Sequence, residues 1–539
     1  MVCQVPPPSA MVSYSLLFLL ASSVSLGVLC QEPETQAIDS KSGKACCKAL
    51  RNELPPSVGV FARGTPEYNA RHQTYYSLQQ QELFPTCTVK PNSASDVSRV
   101  LQIAKAHKCP FAVASGGHMS WKGSSNIDGG VVIDLRALNQ IDISAKDQTV
   151  KLGPGSPWIN VYAALAPFNI STTGARNNFV GVGGFLAGGG ITFESVNKGF
   201  GANSVFNYEV VLANGSIVSV NKDTNADLFW ALKLAGSNFG VITQYEMTTF
   251  PQPVIWGAVS AYPITNQSTS DLLGAFETYG HDDTNTDYFQ SVAYASAGGV
   301  DVFSVVQGTL DGVPQGPLTS VEPISHSELV GSTHDVINQV IQGALAPTAR
   351  AHWYTFTTKI DKQFFQDMRT RADNIFAPLN NRDGLTVVVG FQALQKSFIA
   401  KSAGSPVFNA LSQANDDLVF VLLLVTWDDP ADELVMRNAT NALGAWGEAE
   451  AQRRGLLSQF VYLNYANEEQ RIYERAVTKE DLDRLRSVQK SYDPSGTFTK
   501  LWRGGYKIPP VGYHGAETST GVQEERNGST ARDAQSDEL

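Results

Sequence analysis

The tetrad Ser115-Gly116-Gly117-His118 places one imidazole directly after two adjacent glycines. Imidazole is the side chain whose ordinary pKa lies closest to neutrality, so it serves as nucleophile, base or ligand at physiological pH. Glycines beside it let backbone N–H groups approach a bulky anionic ligand. A second glycine cluster, Gly181-Val182-Gly183-Gly184 with Gly188-Gly189-Gly190, follows downstream. Two such loops after apolar strands point to a dinucleotide phosphate site, with plain turn glycines as the alternative. The Rossmann fingerprint does not fit. The run from Gly181 to Gly188 lacks its glycine spacing, and no acidic residue closes a strand about twenty positions on.

The elements that must position these loops are short. A helix is expected over 96–107, with Val97, Val100, Leu101 and Ala104 on one face. Apolar strands follow at 110–114, which runs straight into the His118 tetrad, and at 130–135. A strand at 149–152, a helix over 158–165, a hairpin of 205–212 and 216–220 around Ala213-Asn214-Gly215, and a strand from Phe239 to about Phe250 complete this part. From Pro251 the texture changes. Long alternating strands at 302–308, 385–392 and 418–427 mix with helices at 362–375 and 431–454, which predicts an antiparallel sheet covered on one face. The fold class is therefore α+β.

The chain has 539 residues, 42% of them hydrophobic and 17% charged, enough for a large core and too long for one ordinary domain. Its formal charge of −11, with no Lys/Arg run longer than a pair, removes nucleic acid as a partner. An apolar stretch over 11–30 followed by the acidic 31–34 reads as a cleaved signal peptide at 1–30, with an uncleaved anchor as the alternative because no Lys or Arg precedes it. Five sequons, at Asn169, Asn214, Asn266, Asn438 and Asn527, suit passage through the secretory pathway. After cleavage Cys46, Cys47, Cys87 and Cys109 remain, so one or two disulfides are expected among three possible connectivities. Ser536-Asp537-Glu538-Leu539 is close to an ER-retrieval signal, and the segment 511–539 reads otherwise as an acidic disordered tail.

Taken in order, Ser115 to His118, Val180 through Gly190, and Gly236-Ser237-Asn238-Phe239-Gly240-Val241-Ile242-Thr243 resemble the FAD-binding domain of the vanillyl-alcohol-oxidase superfamily. Within it the chain is most similar to the berberine bridge enzyme-like oxidases, fungal ones in particular. The resemblance covers about residues 46–509. It implies a two-part FAD-binding domain at 46–250 (core about 81–252), a substrate domain at 251–460, and a return to the first domain at 461–510.

The resemblance also assigns roles. His118 would bond covalently to the 8α carbon of the isoalloxazine, with Ser115, Gly116, Gly117, Val180, Gly181, Gly183, Gly184, Gly188, Gly240, Val241, Ile242 and Asn464 holding the rest of FAD. Many relatives add a cysteinyl bond four residues before the Gly-x-Gly-Gly loop. Asn177 stands there and no cysteine follows Cys109, so a single link is expected. Val461-Tyr462-Leu463-Asn464-Tyr465-Ala466-Asn467 resembles the family's Tyr-x-Asn-Tyr strand and makes Tyr465 the general base. A free phenol has a pKa near ~10, so the role needs a nearby cation or strong hydrogen bond, for which the sequence names no partner. Val180, just before Gly181, leans towards oxidase rather than dehydrogenase.

The implied reaction removes two hydrogens from a small organic substrate, such as a secondary-metabolite alcohol, aldehyde or cyclisation precursor. Dioxygen is the acceptor and hydrogen peroxide the product. Alternatives are a carbohydrate oxidase of the same fold and a secreted, flavin-retaining binding protein without turnover. His352, Tyr354 and Gln392 are candidate pocket residues, with core packing as the equal alternative. No metal is expected, nor a membrane contact after signal cleavage; a monomer is expected, secreted or retained in the ER lumen. The segment Leu501-Trp502-Arg503-Gly504-Gly505-Tyr506 has no assignment.

Overall fold

A computed structural model describes residues 41–510 except 234–235, 253, 283 and 342–348. The expected signal peptide, the Asn527 sequon, the tail from 511 and the retrieval-like Ser536 to Leu539 lie outside the described residues.

Three larger sheets, beside a two-stranded pair of Ile170–Ser171 with Phe250–Pro251, organise the described residues. The first runs in the order Gly59–Ala62, Cys87–Lys90, Val131–Asp134, Phe111–Ala114, with an antiparallel outer pair and parallel inner pairs. Helix Ala94–Ala106 lies on it, capped by Ser93, whose hydroxyl accepts from Asp96 N at 3.1 Å. Its buried face carries Val97, Val100, Leu101 and Ala104, as the periodicity predicts. Helix Lys41–Glu53 is joined to this layer by two disulfides, Cys46–Cys109 and Cys47–Cys87. Adjacent cysteines on one helix thus reach two different segments, and all four are buried among Val89, Phe111 and Ile133.

The second sheet is antiparallel, in the order Ile141–Ser144, Thr149–Leu152, Val241–Thr248, Val205–Val211, Ile217–Asn221. Helices Trp158–Leu165 and Val182–Ala187 pack on it through Trp158, Val161, Val182 and Leu186, against Leu152, Val210 and Tyr245.

The third sheet has eight antiparallel strands: Ser325–Gly331, Ile255–Pro263, Val300–Thr309, Tyr288–Ala297, Thr386–Leu394, Leu418–Trp427, Arg350–Lys359 and Leu457–Ser458. Side chains alternate across a strand, so the sheet has two distinct faces. One carries Phe303, Val305, Val389, Phe391, Val421 and Leu423, packed on Phe276 of helix Asn266–His281, Phe364 and Met368 of helix Lys362–Phe376, and Leu443 of helix Glu433–Arg453. The other carries Ala293, Ala295, Ser304, Val388, Gly390 and Leu424, and it faces a cavity. The α+β class and the sheet covered on one side by helices are both present.

Two segments depart from expectation. Residues 461–467 form no strand; Leu463–Tyr465 is a 3₁₀ turn. Asn464 Nδ2 donates to Phe185 O (3.0 Å) and to the Tyr462 hydroxyl (3.1 Å), and Tyr465 N closes on Tyr462 O (3.1 Å), so local bonds replace a ladder. The unassigned 501–506 segment lies along the edge of the first sheet. Phe111 N donates to Leu501 O (2.8 Å) and Arg503 N to Phe111 O (2.9 Å), satisfying edge groups that would otherwise be open.

Candidate active site

The two glycine loops meet backbone to backbone. A Cβ on Gly116 would stand 2.5 Å from Gly181 N, and one on Gly181 would stand 2.5 Å from Gly116 N, so neither position accepts a side chain. Ser115 Oγ donates to Pro154 O (2.5 Å), and Arg71 Nη1 donates to Ser115 O (2.9 Å), which fixes the first loop from both sides. The hydroxyl of Tyr245 donates to Gly183 O (3.0 Å) and holds the second. The backbone N–H groups of Gly116 and Gly117 donate to no described residue. A Cβ on Gly184 would meet nothing within 4 Å. Free N–H groups beside open space are what a pyrophosphate requires.

The loops border a cavity of about 1790 Å³, larger than the roughly 300–1000 Å³ of an ordinary small-molecule pocket. It has room for a dinucleotide together with a second molecule. Val180, Gly240, Val241 and Ile242 stand on its wall, and Asn464 reaches it beside Gly188, whose Cα leaves no space for a Cβ against Asn464 Oδ1. Every position expected to hold FAD therefore borders one space.

His118 borders the same cavity. Its ring stacks on Tyr76, centroids 4.4 Å apart and planes 20° from parallel, and Tyr76 N donates to Gly117 O at 3.0 Å. Burial pushes the imidazole down to about 4, because a charged ring there would lose its hydration. The ring is neutral at physiological pH, with a lone pair available for bonding. Tyr76 meets Trp353 edge-on (5.9 Å), and Trp353 meets Tyr465 the same way (5.6 Å), so an aromatic row connects His118 to Tyr465.

At the far end of that row the expected base has a cation. Arg176 Nη2 donates to Gln392 Oε1 (2.7 Å) and to the Tyr465 hydroxyl (3.2 Å), and the Tyr465 hydroxyl donates to Gln392 Oε1 (3.2 Å). Arg176 adjoins Asn177, in a segment whose sequence drew notice only for its missing cysteine. No local pattern marks it, since its contacts lie 216 and 289 residues away. Asn177 itself borders the cavity, with its Oδ1 accepting from Phe179 N (3.0 Å).

Of the three candidate pocket residues, only Gln392 reaches the cavity. His352 is bonded to Asn441 Oδ1 (2.9 Å) and the Tyr354 hydroxyl donates to Glu448 Oε1 (2.8 Å), both towards helix Glu433–Arg453. Strand alternation sends positions 352 and 354 away from the cavity and Trp353 into it. Trp502, Gly505 and Tyr506, from the segment left unassigned, also line the wall. The Tyr506 hydroxyl donates to Ala466 O (2.6 Å), tying that segment to the turn that carries Tyr465.

Glu194, next to the cavity residue Phe193, is 2% exposed, with the side chains of Thr192 and Gln252 beside its carboxyl. Burial raises it to about 7.

Comparison with known proteins agrees with this geometry. The family model described as FAD binding domain matches residues 85–221, and that described as berberine and berberine like matches 461–500. The FAD-dependent monooxygenase drtC of Aspergillus calidoustus is 33% identical over 503 residues, 86% of this chain and 90% of the relative. The FAD-dependent monooxygenase tpcD of Cochliobolus heterostrophus is 30% identical over 465 residues, 80% and 87% of the two chains. Among solved structures, 6-hydroxy-D-nicotine oxidase from Arthrobacter nicotinovorans superposes with a TM-score of 0.69 at 21% identity, covering 84% of this chain and 98% of that one. Xylooligosaccharide oxidase from Myceliophthora thermophila gives 0.67 at 19% identity, covering 87% and 100%.

Proposed function

Because the chain belongs to the berberine bridge enzyme-like FAD oxidases of the vanillyl-alcohol-oxidase superfamily, we propose that it holds FAD by a single covalent bond to His118 and oxidises a secondary-metabolite alcohol, aldehyde or cyclisation precursor. The observation that carries this reading is the placement of neutral His118 and the Arg176–Gln392–Tyr465 cluster on one cavity. Bound FAD supplies the acceptor for hydride and a route to dioxygen, with hydrogen peroxide as product.

The chain's own residues do the rest. The free backbone N–H groups of Gly116 and Gly117 would hold the pyrophosphate, and the open side of Gly184, with Gly240 to Ile242 and Asn464, would complete the cradle. His118, neutral and on the cavity wall, would form the covalent bond to the flavin through its ring nitrogen. Cys46, Cys47, Cys87 and Cys109 are all in disulfides, which leaves no described thiol for a second link. Tyr465 takes the substrate's acidic proton. Arg176 stabilises the negative charge that forms on the phenol oxygen, and Gln392 orients both groups.

The wall opposite the loops is apolar over much of its area. Ser291, Ser304 and Ser327 place scattered hydroxyls there, while Ala293, Ala295, Val302, Val388 and Leu424 form a continuous apolar surface. An apolar, polycyclic substrate suits that surface. The two disulfides support entry to an oxidising compartment, and no helix among the described residues is long and apolar enough to cross a membrane. We read the chain as a secreted monomer built from the domains at 46–250 and 251–460 with the return at 461–510.

The test is peroxide release by purified protein across alcohols, sugars and polycyclic aromatics. Release with an aromatic alcohol or aldehyde supports the reading; silence across all classes overturns it.

A further inference from the structure

Arg176 is a cation on a largely apolar cavity with no carboxylate within ion-pair distance among the described residues. Its two recorded bonds both use Nη2, and both go to neutral oxygens, on Gln392 and Tyr465. A guanidinium carries five N–H donors. Those on Nε and Nη1 donate to no described residue. Unused guanidinium donors on a cavity wall can take an anion, and a planar carboxylate is the partner whose geometry suits a guanidinium best.

The one carboxylate lining the cavity among the described residues, Glu328, stands on the edge strand Ser325–Gly331, four strands from the strand that carries Gln392, and already accepts from Trp256 Nε1 (3.0 Å). Gln392 and Tyr465, which Arg176 does bond, are neutral, and the cavity-lining neighbours of Gln392 on the sheet, Ser291 and Gly390, carry no charge either. The phosphate-binding loops lie at the other end of the aromatic row that begins at His118 and Tyr76. A second negatively charged group, separate from those phosphates, is therefore missing from the site.

We propose that the substrate itself supplies it: a bulky, apolar molecule bearing one carboxylate, which Arg176 anchors so that the carbon to be oxidised lies beside Tyr465. This rests on the flavin reading above and deepens it, making Arg176 a specificity-determining residue as well as a neighbour of the base. Charge pairing with a guanidinium adds directional bonds that an ester of the same shape cannot make as strongly.

The experiment titrates the flavin-loaded protein with 2-naphthoate and with methyl 2-naphthoate, following binding by calorimetry and by perturbation of the flavin absorbance. The acid is expected to bind at least about tenfold more tightly than the ester, as one charge-assisted bond predicts. Arg176→Gln should abolish that preference, and Arg176→Lys, which keeps the charge but not the planar fork, should retain part of it. Flavin content of each variant reports folding. Equal binding of acid and ester, no response to the acid, or a preference that survives Arg176→Gln overturns the assignment. Protein without a flavin spectrum instead overturns the cofactor reading, so the two failures are distinct.

Discussion

The imidazole of His118 lies nearly flat against the phenol of Tyr76, ring centroids 4.4 Å apart. Tyr76 also donates its backbone N–H to Gly117 O, so one residue sets both the loop and the ring that ends it. Tyr76→Ala is expected to lower the fraction of flavin that stays on acid-precipitated protein, and Tyr76→Phe to preserve it. His118→Ala should release all flavin as free FAD. Fluorescence of the precipitate and supernatant separates these outcomes.

Covalent attachment should follow the titration of a buried imidazole. His118 is held down to about 4 by burial, against an ordinary value of 6.5. Incubating apoprotein with FAD should give attachment rates that are flat from pH 5 to 8 and fall only near pH 4. A midpoint near 6.5 would contradict the burial argument. The linkage sign agrees: between 6.5 and 4 the unfolded chain binds the proton first, so His118 costs folded stability as pH falls through that window.

Tyr465→Phe removes the proposed proton acceptor without removing its ring packing on Trp353 and Tyr462. Turnover should fall by roughly 10²–10⁴, the usual worth of a positioned base, with KM and covalent flavin little changed. Unaltered kcat would favour a different base.

Glu194 carries its own pH signature. Its carboxyl is raised from 4.5 to about 7, so the folded state holds the proton longer than the unfolded state, and stability is lost as pH rises from 4.5 through 7. The loss is about 3 kcal/mol at alkaline pH. Glu194→Gln should therefore raise the melting temperature at pH 8 more than at pH 5. Thermal scans at the two pH values check this.

Local pattern carried much of the fold. Helix Trp158–Leu165 and strand Leu418–Trp427 agree with expectation residue for residue, because a 3.6-residue stripe and a β-branched run identify themselves without tertiary context. The glycine loops were legible for a similar reason, since close backbone approach demands glycine. What stayed hidden depends on distant partners. Four cysteines do not reveal that Cys46 pairs with Cys109. The turn at Leu463–Tyr465 is set by a bond from Asn464 to Phe185, 279 residues away, and a strand reading had no means of seeing it. For His352 and Tyr354 the packing alternative is the one the structure takes, and the sequence could not choose because alternation fixes relative faces but not which face looks inward.

The eight-stranded sheet separates two selective pressures by the parity of residue number. Exchanging Ala293, Ala295 or Gly390 for a larger apolar residue would reshape the chamber, while Val292, Tyr294, Val389 and Phe391 keep their grip on the helices behind. A lineage can therefore explore new substrates by single substitutions that leave its core intact. Evolvability of this kind is built into the pleat, and it would let one scaffold diversify across many small-molecule chemistries without refounding its architecture.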